Sequence, residues 1–246
     1  DAPGHVDFTG KVTRALRAID GAVVLVDAVE EIMAQTEVVT RQALEERVRP
    51  VLFINKVDRL ITELKLSPEQ IEKKLNHIIS SFNDLIELYC EEQFKDEWKI
   101  NPERNNVAFG SALHGWGFTL NKAKQKNIKF SDIVGAYKKE DHGKLQKTIP
   151  VYESIFEMAI ENLPNPKQAQ AYRVDKIWGG ARFSKTGKAI AECSDEELSV
   201  ICVTNVHANS TGEILVTGRV FSGTLTNGNR LFGVNSQLET VVSKVN

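Results

Sequence analysis

Three short motifs, "DAPGH", "NKVD" and "GSAL", carry the side chains that could do chemistry in this sequence. In the first motif Asp1 is a carboxylate that could hold Mg²⁺ through a water molecule. Gly4 has no Cβ, so its N–H could approach a phosphate oxygen closely. His5 follows directly and could orient an attacking water molecule. The D-x-x-G spacing is a weak signal by itself, and the alternative for His5 is a half-buried structural histidine.

The second motif, Asn55–Asp58, offers a carboxylate that could read a purine base. Asp58 can accept two hydrogen bonds, one from a ring N–H and one from an exocyclic amine, and guanine presents that pair of donors whereas adenine does not. Asn55 could bond the base edge and brace a neighbouring loop, while the stem of Lys56 could lie over the base plane. This motif is fairly specific. The alternative is a turn in which Asp58 caps a helix.

The third motif, Gly110–Leu113, is a run of small residues that would let backbone N–H groups approach a ligand closely. At the edge of the same site those groups would meet a guanine carbonyl oxygen. Taken alone the tetrapeptide is a weak signal, because most such stretches are plain turns. Its value comes from its position after the other two motifs.

The elements that would position these motifs alternate between strand and helix. Short apolar runs at Ala22–Val26, Val51–Ile54 and Val107–Phe109 predict buried parallel strands. Apolar residues at helical spacing lie between them and predict an α/β sheet with helices on both faces. Ligands bind beyond the carboxyl ends of the strands in such sheets. The three motifs lie at those ends or just past them.

Two further regions have residue patterns that differ from the alternation of strands and helices in this core. At about 60–105 the sequence predicts a helical insertion, with a capping signature at Ser67 and one long amphipathic stripe. From residue 165, after a linker signal in "PNPKQ", short β-rich runs separated by Asn, Gly and Ser turns predict an all-β domain. The predicted domains are therefore 1–164, the α/β domain that carries the three motifs, and 165–246, part of a small barrel.

Composition excludes several classes of protein. The 246 residues carry a net charge of −2, so there is no overall basic field that would indicate nucleic-acid binding. Cys90, Cys193 and Cys202 are too widely spaced for a zinc site and too few for a disulfide framework, which favours reduced cytosolic thiols. No apolar run approaches the roughly 20 residues of a membrane span.

Taken together and in this order, the motifs resemble the guanine-nucleotide fingerprint of the translational GTPases. The stretches "DAPGHVDFTGKVTRALRAIDGAVVLVDAVEEI", "QALEERVRPVLFINKVDRLI", "FGSALHGWGFT" and "GEILVTGRVFSGTL" are similar nearly word for word to the archaeal and eukaryotic translocases of that family. The resemblance implies a P-loop GTPase-type sheet followed by a β-barrel domain. It also implies an enzyme that hydrolyses GTP to GDP and phosphate during ribosomal translocation.

The resemblance also implies the site residues and partners. Asp1 would serve the metal and, with Gly4, the γ-phosphate, and His5 would be the catalytic residue that positions the hydrolytic water. The residues implied for the guanine base are Asn55, Lys56, Asp58, Ser111, Ala112 and Leu113. The implied ligands are GTP or GDP and Mg²⁺. The implied partner is the ribosome, with tRNA and mRNA met indirectly, and the implied state is a cytoplasmic monomer that contacts no membrane.

The sequence contains no G-x-x-x-x-G-K-[ST] phosphate-binding loop. We expect that loop and the first strand to precede Asp1, and later domains to follow Asn246, so that the chain is an internal fragment inactive by itself. Two alternatives remain open at this point. One is a sibling translational GTPase that acts in initiation, release or recycling, and the other is a GTPase-like scaffold that does not hydrolyse GTP. His5 argues against the scaffold, which needs no water-positioning group.

Overall fold

The computed structural model describes residues 9–208, 210 and 212–245. The chain divides into two compact units, Asp1–Pro164 and Asn165–Asn246, and each is described by itself. Within the described residues no helix is both long enough and apolar enough to cross a membrane.

The first unit is built on a four-stranded sheet in the order β1-β2-β3-β4. Its strands are β1 (Gly21–Asp27), β2 (Arg49–Asn55), β3 (Val107–Ser111) and β4 (Trp116–Thr119). β1, β2 and β3 run parallel, whereas β4 pairs antiparallel with β3. The three predicted parallel strands are thus confirmed. Asp27 lies opposite Asn55 in the register, so the polar ends of β1 and β2 are side by side.

Helices cover both faces of this sheet. Those of the first unit are α1 (Thr9–Ala18), α2 (Ala34–Glu45), α3 (Val57–Thr62), α4 (Pro68–Tyr89), α5 (Glu92–Trp98), α6 (Leu120–Lys126), α7 (Phe130–Lys138), α8 (Gly143–Thr148) and α9 (Val151–Asn162). Leu16 of α1 and Ala43 of α2 belong to one buried cluster. Phe53 of β2, Ala108 of β3 and Met158 of α9 belong to another. Since successive strand residues point to opposite faces, these two clusters account for the layered α/β fold, as predicted.

The predicted amphipathic helix is α4, which begins with a complete capping box. The Ser67 hydroxyl accepts the N–H of Gln70 at 3.3 Å, and the Ser67 N–H donates to the Gln70 side chain at 2.8 Å. At the other end the Tyr89 hydroxyl donates to Glu37 at 2.6 Å, which ties α4 to α2. The buried stripe of α4 consists of Ile71, Leu75, Ile78, Ile79, Phe82, Leu85 and Ile86.

The second unit contains antiparallel strands, as predicted, but it opens with two helices. Its elements are α10 (Pro166–Ile177), α11 (Lys185–Glu192), β5 (Val200–Ala208), β6 (Ile214–Ser222), β7 (Arg230–Gly233) and β8 (Leu238–Val241). β5 pairs with β6 and β7 pairs with β8. In the described part of this unit the strands form two separate two-stranded sheets. The all-β expectation is therefore wrong for 166–192, and the barrel stays a prediction.

The segment "PNPKQ", interpreted above as a linker, is the start of α10. Asn165 accepts the N–H of Gln168 at 2.9 Å and donates its own N–H to the Gln168 side chain at 3.1 Å. Pro166 occupies the first turn, where its missing N–H costs nothing. The same residue types that favour a turn also build a capping box, and here the helix forms.

A buried glutamine joins these helices to the strands of the second unit. The Gln170 amide donates to the carbonyl oxygens of Ile190, at 2.5 Å, and Phe221, at 2.8 Å. Val174, Ile190 and Phe221 form the apolar cluster beside it. Helices α10 and α11 therefore belong to the core of the second unit.

Candidate functional site

The described residues predicted to read the base come together at one edge of the sheet. Asn55–Asp58 follows β2 and Ser111–Leu113 follows β3, and these two strands are neighbours. The carboxyl ends of parallel strands meet at the same edge, so the two motifs face a common space. Their predicted roles depend on the hydrogen bonds at this edge.

Three other predicted residues, Asp1, Gly4 and His5, lie outside the described residues. Their roles in metal, phosphate and water binding stay predictions. Over the stretches that the structure describes, no cluster of three or more His, Cys, Asp or Glu side chains is arranged to hold a metal ion.

Asn55 connects the two motifs. Its side-chain oxygen accepts the N–H of Lys56 at 2.8 Å and the N–H of Ala112 at 2.9 Å. The bracing of a neighbouring loop that the sequence suggested is therefore present. Within the described residues the Asn55 amide nitrogen has no acceptor, so its two N–H groups remain available to a ligand.

The turn after β3 differs in one respect from the prediction that its backbone N–H groups approach a ligand. The N–H of Ala112 is already bonded to Asn55, so it does not point freely at a ligand. The backbone N–H of Leu113 has no acceptor among the residues described, and the Leu113 side chain is exposed. Ser111 is buried, and its hydroxyl accepts the N–H of His114 at 3.2 Å.

Gly110 is required by the close approach of β4 to this turn. A Cβ at position 110 would lie 2.3 Å from the carbonyl oxygen of Trp116. We expect Gly110→Ala to push β3 and β4 apart and to lower the melting temperature, since such overpacking costs about 1–3 kcal/mol. The matched control is Gly135→Ala in α7, where a Cβ meets nothing within 4 Å. Alanine favours a helix over glycine by about 0.5–1 kcal/mol.

Thermal unfolding followed by circular dichroism measures both variants. The Gly135→Ala protein should melt at or above the temperature of the parent, and the Gly110→Ala protein below it. Equal melting of the two variants would show that the β3–β4 contact is not tight.

Lys56 has an unusual backbone and a fixed side chain. Its φ and ψ angles are 62° and 32°, in the left-handed region that a lysine rarely adopts. Its ammonium group lies 2.7 Å from a carboxylate oxygen of Asp27, while the side chain is half-exposed. Strain of this kind persists only where the surrounding structure holds it. Here the Asn55 bond to the Lys56 N–H and the Asp27 ion pair hold it.

Asp27 is a site residue that the sequence analysis did not single out. Burial raises its pKa, but the ion pair with Lys56 and the backbone N–H groups of Val29 and Glu30 outweigh that effect and lower the pKa below its ordinary value. The carboxylate is thus charged and holds Lys56 in place. The available signal was its position, since Asp27 is the polar residue that ends the first apolar run.

Asp58 is a buried carboxylate, and one of its oxygens has no hydrogen-bond partner among the described residues. The residue is 6% exposed, and no hydrogen bond to Oδ1 is found in the described part of the chain. It lies in the first turn of α3, whose N-cap is Lys56, and that cap has no side-chain hydrogen bond. The helix-capping alternative for Asp58 is therefore not observed. A buried carboxylate oxygen without a partner is costly, so the geometry favours a ligand that supplies donors.

A hydrogen-bonded group of three aromatic side chains, His114, Tyr137 and Trp116, lies next to Asp58. The Nδ1 atom of His114 lies 3.9 Å from Asp58 Oδ2 and 2.7 Å from the hydroxyl oxygen of Tyr137. The indole N–H of Trp116 donates to the same hydroxyl at 2.8 Å. Burial, together with the charge of Asp58, raises the pKa of Tyr137 to about 12 although the Trp116 bond opposes the rise. Tyr137 is thus a neutral phenol with a proton to donate at neutral pH.

A family model described as the elongation factor Tu GTP binding domain matches residues 1–165. That match covers more than half of the chain. The chain belongs to this family. The predicted resemblance to translational GTPases is thereby confirmed, and the edge formed by Asn55 and Asp58 lies inside the matched GTP-binding domain.

Relatives of this GTP-binding domain include three archaeal proteins called elongation factor 2. The protein of Staphylothermus marinus is 51% identical over 247 residues, which is 100% of this chain and 34% of the relative. That of Sulfurisphaera tokodaii is 49% identical over 248 residues, again 100% of the chain and 34% of the relative. That of Korarchaeum cryptofilum is 50% identical over 238 residues, 96% of the chain and 32% of the relative. The chain thus spans about a third of the length of these curated relatives.

Proposed function

We propose that this chain binds the guanine base of GTP and GDP, as part of a translation elongation factor that hydrolyses GTP during ribosomal translocation. The observation that carries the proposal is the buried, unpartnered Oδ1 of Asp58. Asp58 lies beside His114, which contacts Tyr137, in a domain whose family binds GTP. A carboxylate in this position requires hydrogen-bond donors from outside the described chain.

The free groups at the sheet edge complement guanine. Asp58 offers acceptors for the ring N–H and the exocyclic amine, and the Leu113 N–H offers a donor for the carbonyl oxygen. The Asn55 amide offers a further donor to the base edge. The alkyl stem of Lys56, held at its end by Asp27, gives an apolar cover for the plane of the base. Adenine lacks the two adjacent donors and the carbonyl, so it would leave Asp58 unpaired.

The catalytic part of the proposal rests on the first motif. Asp1 is a hard oxygen ligand of the type that Mg²⁺ accepts, and the ion would neutralise charge on the phosphates. The N–H of Gly4 would meet the γ-phosphate. His5 would position the hydrolytic water, because phosphoryl transfer is mainly a matter of positioning and charge stabilisation.

The partners are proposed from the identity of the relatives, which are elongation factor 2 proteins. We propose a cytoplasmic monomer that works on the ribosome and meets tRNA and mRNA indirectly. The names favour elongation over the sibling roles in initiation, release and recycling. GTP turnover on the ribosome distinguishes this function from that of a scaffold that does not hydrolyse GTP.

Nucleotide competition tests the base assignment. We expect GDP to displace a fluorescent GDP analogue from the complete gene product, and ADP to fail at concentrations on the order of 10³-fold higher, because a site built on buried hydrogen bonds rejects a base that leaves them unmade. Guanosine alone, which lacks phosphates, serves as the control for the base contribution. Displacement by ADP at the same concentration as GDP would refute guanine recognition.

A further inference from the structure

We propose that His114 is a positioning residue for Asp58: its ring, anchored by Tyr137, holds the base-reading carboxylate in place. The inference rests on the guanine binding proposed above and assigns a role to a residue in none of the three motifs. His114 does not itself reach the base in this interpretation. It acts through Asp58.

The Tyr137 hydroxyl anchors the His114 ring. It accepts the indole N–H of Trp116 at 2.8 Å, and its oxygen lies 2.7 Å from His114 Nδ1, within hydrogen-bond distance. The Nδ1 atom therefore lies near both Tyr137 and Asp58.

The His114 ring limits the movement of the Asp58 carboxylate but forms no hydrogen bond with it. Asp58 Oδ2 lies 3.9 Å from His114 Nδ1, beyond hydrogen-bond length, so the ring edge limits its movement on that side. The Oδ1 atom keeps its acceptor capacity for a donor arriving from the base. Removal of the ring would give the carboxylate room to rotate or to bind water.

The titratable groups that face His114 come from three elements. Asp58 lies in α3, Tyr137 in α7, and His142 precedes α8 with its ring centroid 4.5 Å from that of His114. Tyr137 stays protonated through the neutral range, because burial raises its pKa to about 12. Asp58 is an anionic group beside His114, and His142 is a second imidazole beside it.

The test compares GDP with IDP, whose hypoxanthine base lacks the exocyclic amine of guanine. The ratio of their dissociation constants reports the bond from that amine to Asp58, whereas general damage to the fold weakens both ligands alike. In the complete gene product at pH 8, His114→Ala should reduce the preference for GDP over IDP by on the order of tenfold, the usual effect of losing a hydrogen bond to a charged group.

Two further variants separate positioning from a general effect of the substitution. His114→Asn keeps a polar side chain that can bond the Tyr137 hydroxyl, so it should retain most of the preference for GDP over IDP. His142→Asn removes the neighbouring imidazole and should keep the parent's ratio.

Two outcomes would overturn the inference. They are an unchanged ratio in His114→Ala, and a His142→Asn protein whose ratio falls as far as that of His114→Ala. Failure of the underlying function is distinguishable, because the unaltered protein would then bind GDP no better than ADP. If the unaltered protein prefers GDP and His114→Ala matches it, only the role of His114 is refuted.

Discussion

Asp58→Asn is expected to exchange the base preference of the site from guanine to xanthine. The carboxylate only accepts hydrogen bonds, and guanine presents two donors to it. Xanthine replaces the exocyclic amine with a carbonyl oxygen, which would face Asp58 as acceptor against acceptor. A site of this kind rejects such a mismatch by on the order of 10⁴-fold. An asparagine amide supplies the donor that the xanthine carbonyl requires, so GTP binding should weaken and XTP binding strengthen.

Competition between the two triphosphates on the purified variant measures this exchange. The phosphate-binding groups are unchanged, so hydrolysis on the ribosome should persist when XTP is supplied. A plain loss of affinity for both nucleotides would indicate damage to α3, where the Asp58 side chain is buried. A variant that retains the preference for GTP would show that Asp58 does not read the base.

His5→Ala should reduce ribosome-stimulated GTP hydrolysis by about 10²–10⁴-fold, the range in which a positioned acid–base or water-orienting group contributes. Nucleotide affinity should change little, since a group that orients water does not hold the ground-state nucleotide. Single-turnover rates and separate binding measurements on the complete gene product distinguish the two effects.

His77→Ala is the matched control for this experiment. His77 lies on α4 with a largely exposed side chain beside Glu31, and it belongs to none of the three motifs. Its replacement should leave hydrolysis unchanged. If His5→Ala hydrolyses GTP as fast as His77→Ala does, His5 is a structural histidine.

The sequence predicted the part of the site that local spacing encodes. Asn55 and Asp58 lie at strand ends because the apolar run before them makes a buried strand, and that run is visible in the sequence. The neighbours of Asp58 could not be predicted in the same way. Tyr137 comes from α7, in a stretch with no motif, and only the packing of α7 near α3 brings it to His114.

The strands and the long helix α4 were predictable because their apolar residues follow the period of the element. Helix α10 was not predicted, because its buried residues do not form an apolar pattern with the period of a helix. Its buried face includes Gln170 and Arg173, which are polar, so no apolar stripe marks it. Gln170 is buried because it bonds the carbonyls of Ile190 and Phe221. These partners are defined only in the folded chain.

The two hydrogen bonds accepted by the Asn55 side-chain oxygen affect how the site discriminates between nucleotides. By joining the end of β2 to a residue 57 positions away, the bond to Ala112 sets the shape of this edge of the sheet, where we propose that the base binds, when the chain folds. Little ordering is then left for the moment of binding, so the pocket is preorganised. GTP and GDP share the same base, and a pocket already formed accepts both equally well. Any difference between the two nucleotides must therefore arise at the phosphate end of the ligand.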